Sequence, residues 1–170
     1  KETVVYPARC LLVAAMNHCP CGYLGHDVRE CSCTPLQVHK YRARVSGPIM
    51  DRIDLHLQLG PIKFADWEAL PRGESSLTVG GRVAAAMAVQ RARFGGSGIR
   101  ANAFMGIREL REHCRLPEGA SGLLETAMNK LGFSARSLDK ILKIARTVAD
   151  LDGSPELKKA HIIEAMQYRA

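Results

Sequence analysis

The sequence predicts an α/β segment followed by an all-α segment. Three observations carry this reading. Cys10 to Met16 is a continuous apolar run, as expected for a strand buried on both faces of a parallel sheet. Ile53 to Leu59 alternates Ile, Leu, Leu and Leu with Asp, His and Gln, the period of a half-buried strand. After Gly60-Pro61 the apolar spacing becomes helical almost throughout.

Taken in order, Thr3-Val4-Val5-Tyr6 is strand-like and Pro7 closes it. Asn17 to Thr34 reads as an irregular loop. Pro35 to Val45 reads as a helix, with Thr34 as N-cap and Pro35 at the first helical position. Ser46-Gly47-Pro48 breaks it. Leu70-Pro71-Arg72-Gly73 is a loop. Ser76 to Phe94 is a long helix whose first turns are weakened by Gly80-Gly81. Gly95 to Gly98 is a flexible break. Four more helices follow over Gly106–Cys114, Gly119–Leu131, Ser134–Ala149 and Pro155–Arg169. Leu138, Ile141, Leu142, Ala145 and Val148 share one apolar face. The expected domains are therefore 1–60, α/β, and 61–170, a helical bundle.

Composition narrows the function classes. A hydrophobic content of 46% over 170 residues argues for a folded globule with a sizeable core. Aromatic residues make up only 5%, so a base-stacking platform for single strands is not evident. The formal charge of +7 suits a polyanionic partner such as DNA, and equally a basic soluble protein. No apolar stretch approaches the ~18 residues that a membrane helix needs. Residues 1–9 do not read as a signal peptide. Six cysteines in such a chain suggest metal or free thiols rather than disulfides, and a cytoplasmic setting.

Several residues could carry chemistry. Asn17 ends the first apolar run, and in doubly wound sheets ligands bind outside the carboxyl ends of strands. Its amide could orient a water or touch a terminal phosphate; an Asn there also simply favours a turn. Cys19, Cys21, Cys31 and Cys33 are the right number of thiolates for a closed tetrahedral zinc site. Their Cys-x-Cys pairs are tighter than the usual spacing, His18 or His26 could replace one ligand, and free thiols or disulfides stay open. Cys10 and Cys114 look like packing residues. Arg52 could stabilise charge on a transferred phosphoryl group, or pair with Asp51 or Asp54. Arg136 opens the penultimate helix, where an N-terminus and a guanidinium together suit a phosphate; otherwise it is an exposed first-turn arginine. Two basic helix edges, His39, Lys40, Arg42 and Arg44, and Arg82, Arg91, Arg93 and Arg100, could touch DNA phosphates or face solvent. No Ser-His-Asp set or catalytic carboxylate pair is visible. Neither a Gly-x-x-x-x-Gly-Lys-Ser/Thr loop nor an apolar run ending in paired acids occurs.

Longer motifs sharpen the reading. VAAMNHCPCGYLGH, CSCTPLQ, YRARVSGP and DRIDLH in the first third, and NAFM, LGFSARSLDKILKIARTVADLDG and HIIEAMQYR later, resemble the magnesium-chelatase-like AAA+ ATPases of the ComM/YifB type. His18 departs from that pattern, which usually has proline there. The resemblance implies the C-terminal part of such an ATPase, without Walker A or Walker B: a portion of the AAA+ core sheet followed by a helical lid. It implies Asn17 as sensor 1, Arg52 as the arginine finger reaching a neighbour's nucleotide, and Arg136 as sensor 2. ATP and Mg2+ would serve the complete enzyme, and Zn2+ the cysteine loop. The assembly would be a hexameric ring acting on DNA, as a helicase or branch-migration motor in competence and recombination. This chain alone would not hydrolyse ATP. Two alternatives stand beside that reading: a motor subunit of a magnesium chelatase, and a zinc-stabilised nucleic-acid-binding or interaction module without enzymatic activity.

Overall fold

The computed structural model describes residues 3–6, 10–60, 62, 64–71 and 73–169. The chain divides into two compact units, Lys1–Ser46 and Gly47–Ala170.

In the first unit the regular element among the described residues is α1 (Pro35–Arg42). Its start is fixed by a reciprocal capping box. The Thr34 hydroxyl accepts from the Gln37 amide at 3.3 Å, and the Gln37 side chain accepts from the Thr34 amide at 2.8 Å. Pro35 sits where a missing N–H costs nothing. His39, Lys40 and Arg42 fall in the last turn, complementing the negative end of the helix dipole. Residues 17–34 form loops and turns, as the sequence predicts.

The α/β part of the expectation is corrected. Among the described residues there is no strand: neither 3–6, nor 10–16, nor 53–59 joins a sheet. The physical reason is that a strand is completed by a neighbour's backbone, and no ladder partner lies alongside these segments among the described residues. Most of their apolar side chains stay exposed, with Leu11 at 90% and Val13 at 83%, while Ile53 is half-buried.

The second unit is helical. It contains α2 (Gly47–Met50), α3 (Phe64–Ala69), α4 (Ser76–Arg93), a single 3-10 turn (Asn102–Phe104), α5 (Ile107–His113), α6 (Ala120–Leu131), α7 (Ala135–Leu151) and α8 (Lys159–Gln167). Caps set the boundaries. The Ser75 hydroxyl accepts from the Thr78 amide at 3.1 Å and starts α4, which runs unbroken through Gly80-Gly81. The Ser134 hydroxyl accepts from the Ser137 amide at 3.2 Å and starts α7. Gly132, with φ 67°, ends α6 in the left-handed conformation that only glycine adopts without strain.

α7 is the central helix, packing against α8, α4, α5 and the 3-10 turn. Ile141, Ala145 and Ala149 repeat every four residues and are fully buried. Around them lie Phe94, Met105, Leu110, Cys114, Leu124, Leu157 and Ile162. Of the predicted apolar face, Leu138 and Leu142 are partly buried against this core. Cys114 packs in it as expected; Cys10 does not, because its segment is exposed.

Candidate functional site

The cysteine loop gathers its four thiols into one cluster. Cys19 is buried and Cys21, Cys31 and Cys33 are half-buried. All four sulfurs lie within 4.8 Å of one another. The Cys19–Cys21, Cys19–Cys31 and Cys21–Cys31 separations are 3.4, 3.6 and 3.5 Å. A tetrahedron of sulfurs with metal–sulfur bonds of about 2.3 Å has edges of about 3.8 Å, so the donor set fits a zinc ion. Gly22 makes this possible: at φ 84° it turns the chain sharply, and its amide donates to the Cys19 carbonyl at 3.1 Å.

The thiols titrate apart. A backbone hydrogen bond at Tyr23, reinforced by the sulfurs of Cys19 and Cys33, brings Cys21 down to about 5 against the opposing effect of burial. At Cys31 a backbone hydrogen bond at Cys33 acts downward, but burial and the neighbouring sulfurs outweigh it and push the thiol up to about 12. At Cys33 a backbone hydrogen bond at Cys21 and the Cys31 sulfur act downward, but burial and the sulfurs of Cys21 and Cys19 prevail and raise the thiol. Ionisation is thus favoured at Cys21 and opposed at Cys31 and Cys33. A cation at the centre reverses that, because thiolates are the ligand form.

The histidines near the loop stand apart from the cluster. The His26 Nδ1 accepts from the amides of Val28 and Arg29, each at 3.1 Å. The His18 carbonyl accepts from the Arg42 Nε at 3.2 Å, tying the loop to α1. Asn17 is exposed just before the cluster, with its amide beside Gly22.

Arg52 is exposed beyond α2, and its Nη1 donates to the Pro48 carbonyl at 2.9 Å. The two acids beside it are engaged elsewhere. Asp54 pairs with Lys140 at 2.8 Å, and Asp51 lies 3.7 Å from Arg169. Among the described residues Arg52 makes no ion pair. Arg136 is exposed in the first turn of α7 and likewise makes none among the described residues.

One of the basic edges is corrected in part. Arg93 does not face solvent: it pairs with the buried Asp150 and also donates to the Asn102 side chain at 2.8 Å. Arg82 is held by Glu74 through two 2.7 Å bonds. Arg91 and Arg100 are exposed.

Three polar features escaped the sequence reading: the Asp150 network, Lys140 and Arg169. Asp150 also accepts from Arg146 at 3.2 Å and from Asn102 at 2.8 Å. The spacing of Arg146 and Asp150, four apart on a helix, was a signal for the first. Lys140 and Arg169 reach partners 88 and 116 residues away, which no local pattern displays.

Comparison with known proteins adds the family. The profile described as magnesium chelatase, subunit ChlI C-terminal, matches residues 73–169. The chain belongs to the magnesium chelatase family. A second profile, magnesium chelatase, subunit ChlI, matches residues 1–67, which contain Asn17, the four cysteines and Arg52. Relatives within this magnesium-chelatase-like group include the competence protein ComM of Haemophilus influenzae, 37% identical over 98% of this chain and 32% of its own length. YifB of Escherichia coli is 42% identical over 100% of this chain and 33% of its own length. A Mycobacterium tuberculosis protein is 34% identical over 96% of this chain and 32% of its own length. The chain thus spans about a third of the length of the curated relatives it matches. Membership makes it AAA+ ATPase-like in kind. No helix among the described residues is long and apolar enough to cross a membrane.

Proposed function

We propose that this chain supplies the sensor, finger and lid portion of a ring-forming AAA+ ATPase that acts on DNA. The observation that carries the reading is the state of Arg52. Both neighbouring carboxylates pair with other cations, so the exposed Arg52, bonded only to the Pro48 carbonyl, has no acidic partner among the described residues and keeps its permanent charge for an acidic group from elsewhere. In a ring, that group is the nucleotide phosphate bound by the next subunit. Arg136, in the first turn of the lid helix α7, is the matching cation for nucleotide in its own subunit. Asn17 orients the attacking water from the core portion, 1–60, and the lid is 61–170.

Bound ATP with Mg2+ supplies the phosphoryl group and the charge that these residues meet. The residues that would hold the metal and cradle the phosphates are not in this sequence. What the chain contributes is charge stabilisation from Arg52 and recognition from Arg136. The cysteine cluster, with Cys19, Cys21, Cys31 and Cys33 as zinc ligands, fixes the loop that follows Asn17. DNA as the track is supported by the net charge of +7 and by a relative called a competence protein.

The deciding experiment is ATP hydrolysis by the full-length protein with and without DNA, for wild type and Arg52→Ala. The finger reading expects turnover to fall on the order of 10³-fold with nucleotide binding retained. Normal turnover in the variant would dismiss it. The family's description as a chelatase subunit favours a second reading, a motor for magnesium insertion into a porphyrin. Stimulation of hydrolysis by DNA supports the first reading, and indifference to DNA supports the second.

A further inference from the structure

The segment that carries Arg52 is strapped to the lid helix on both sides of that residue. The Lys140 Nζ donates to the Arg52 carbonyl at 2.6 Å and pairs with the Asp54 carboxylate at 2.8 Å. Arg169 Nη1 donates to the next carbonyl, that of Ile53. Its Nη2 lies 3.2 Å from the Ser137 hydroxyl and 3.7 Å from Asp51. The His56 amide donates to the Tyr168 carbonyl at 2.7 Å, and the His56 Nε2 donates to the Met50 carbonyl at 3.2 Å. Residues 51–56 therefore follow α7 and the C-terminal end of α8 rather than moving freely.

Two details point beyond ordinary packing. Arg169 is buried, and its Nε has no partner among the described residues. Burying a guanidinium with one N–H unsatisfied is costly, and it persists here beside bonds that fix a backbone segment. Lys140 is the second detail. Its ammonium is spent on the carbonyl of Arg52 itself and on the acid that would otherwise be that arginine's natural partner.

We propose that Lys140 and Arg169 are positioning residues for Arg52, making α7 a mechanical link between the two arginines. They occupy Asp51 and Asp54 and hold the backbone of residues 52 and 53, while the exposed Arg52 guanidinium keeps only its bond to the Pro48 carbonyl among the described residues. Arg136 lies one turn before Lys140 on the same face of α7. A shift of α7 that follows nucleotide at Arg136 carries the Arg52 backbone with it. This rests on reading Arg52 as the finger, and the experiment separates the two ideas.

The variants are Lys140→Met, Lys140→Arg and Asp54→Asn, with Arg52→Ala as reference. Asp54→Asn weakens the same clamp from the loop side, so a folding defect in α7 cannot mimic the result. Amide hydrogen exchange is measured on this 170-residue chain, and ATP hydrolysis on the full-length protein. Lys140→Met and Asp54→Asn should speed exchange at 51–56 by about tenfold and lower kcat by about 10- to 100-fold, with KM within about twofold. Lys140→Arg should restore both readouts in large part. Unchanged exchange at 51–56 in Lys140→Met and Asp54→Asn overturns the clamp. Faster exchange with unchanged kcat, while Arg52→Ala is dead, overturns its positioning role. Normal turnover in Arg52→Ala instead overturns the finger reading, and the positioning role with it.

Discussion

The guanidinium of Arg93, at the end of α4, grips the carboxylate of Asp150 near the end of α7. Both terminal nitrogens of Arg93, Nη1 and Nη2, engage it, and the pair spans 57 residues of sequence. Arg146 approaches the same carboxylate from one turn earlier on α7, and its remaining nitrogens donate to the carbonyls of Pro155 and Ser154 at 3.0 and 2.6 Å. Asn102 completes the shell and bonds Thr147 at 3.1 Å. One buried anion thereby organises α4, the 3-10 turn, α7 and the loop leading to α8.

Replacing that anion should be severe. Asp150→Asn leaves two largely buried guanidiniums without a counter-charge, a loss of about 3–5 kcal/mol for breaking a buried pair. Urea unfolding followed by helical circular dichroism measures it. A loss below about 1 kcal/mol would mean that water or the carbonyl partners satisfy the arginines unaided.

Acid should weaken the helical unit through the same group. Burial works against ionisation of Asp150, but hydrogen bonds from Arg93 and Asn102 and the charges of Arg93 and Arg146 prevail and hold its carboxyl below the usual range. Asp152 is lowered too, chiefly by hydrogen bonds from His161 and Lys158. A carboxyl with a depressed folded pKa contributes stability above its unfolded value, about 3.9, and loses it as pH falls through the folded one. Urea midpoints should thus stay level with respect to these groups from neutral pH to about 5, and fall steeply below about 4. In Asp150→Asn the acid limb should become shallower. An identical limb in variant and wild type would remove Asp150 from this role.

The cysteine cluster makes a compositional prediction. Protein purified without chelator should carry about one zinc per chain with four thiols protected from alkylation. Cys31→Ser should lose the metal and expose residues 17–34 to protease, while the α7 core keeps its melting behaviour. Metal below about a tenth of an equivalent in the wild type would sink the site.

Arg136 should show opposite signs in stability and function. A cation in the first turn of a helix is disfavoured by the dipole, so Arg136→Ala should leave the fold intact or slightly firmer. In the full-length protein the same change should weaken ATP binding or hydrolysis. Unaltered binding and turnover would return Arg136 to an ordinary surface residue.

Much of the helical unit was legible in the sequence. Ser75 and Ser134 are capping residues, and the helices they start were predicted to begin within a residue or so of the observed Ser76 and Ala135. Ile141 and Ala145 were legible from 3.6-residue spacing alone. The cysteines came together as their number suggested, although their spacing is tighter than usual, because both pairs lie in one short loop. The strands were not legible in the same sense. An apolar run such as Cys10 to Met16 announces a preference, but its fulfilment depends on another backbone. The polar interior was hidden for a related reason. Arg93 sits in a basic helix edge, and nothing near it in sequence shows that Asp150 lies opposite.

The apolar run before the cysteine loop carries a practical consequence. Cys10 to Met16 has no charge, no proline and no glycine, and its side chains are exposed. Such seven-residue windows are the ones that stack into intermolecular cross-β zippers. Concentrated solutions of this chain should therefore turn turbid from that end first, through a reaction steep in protein concentration. A single lysine in place of Val13 would act as a gatekeeper and keep the solution clear.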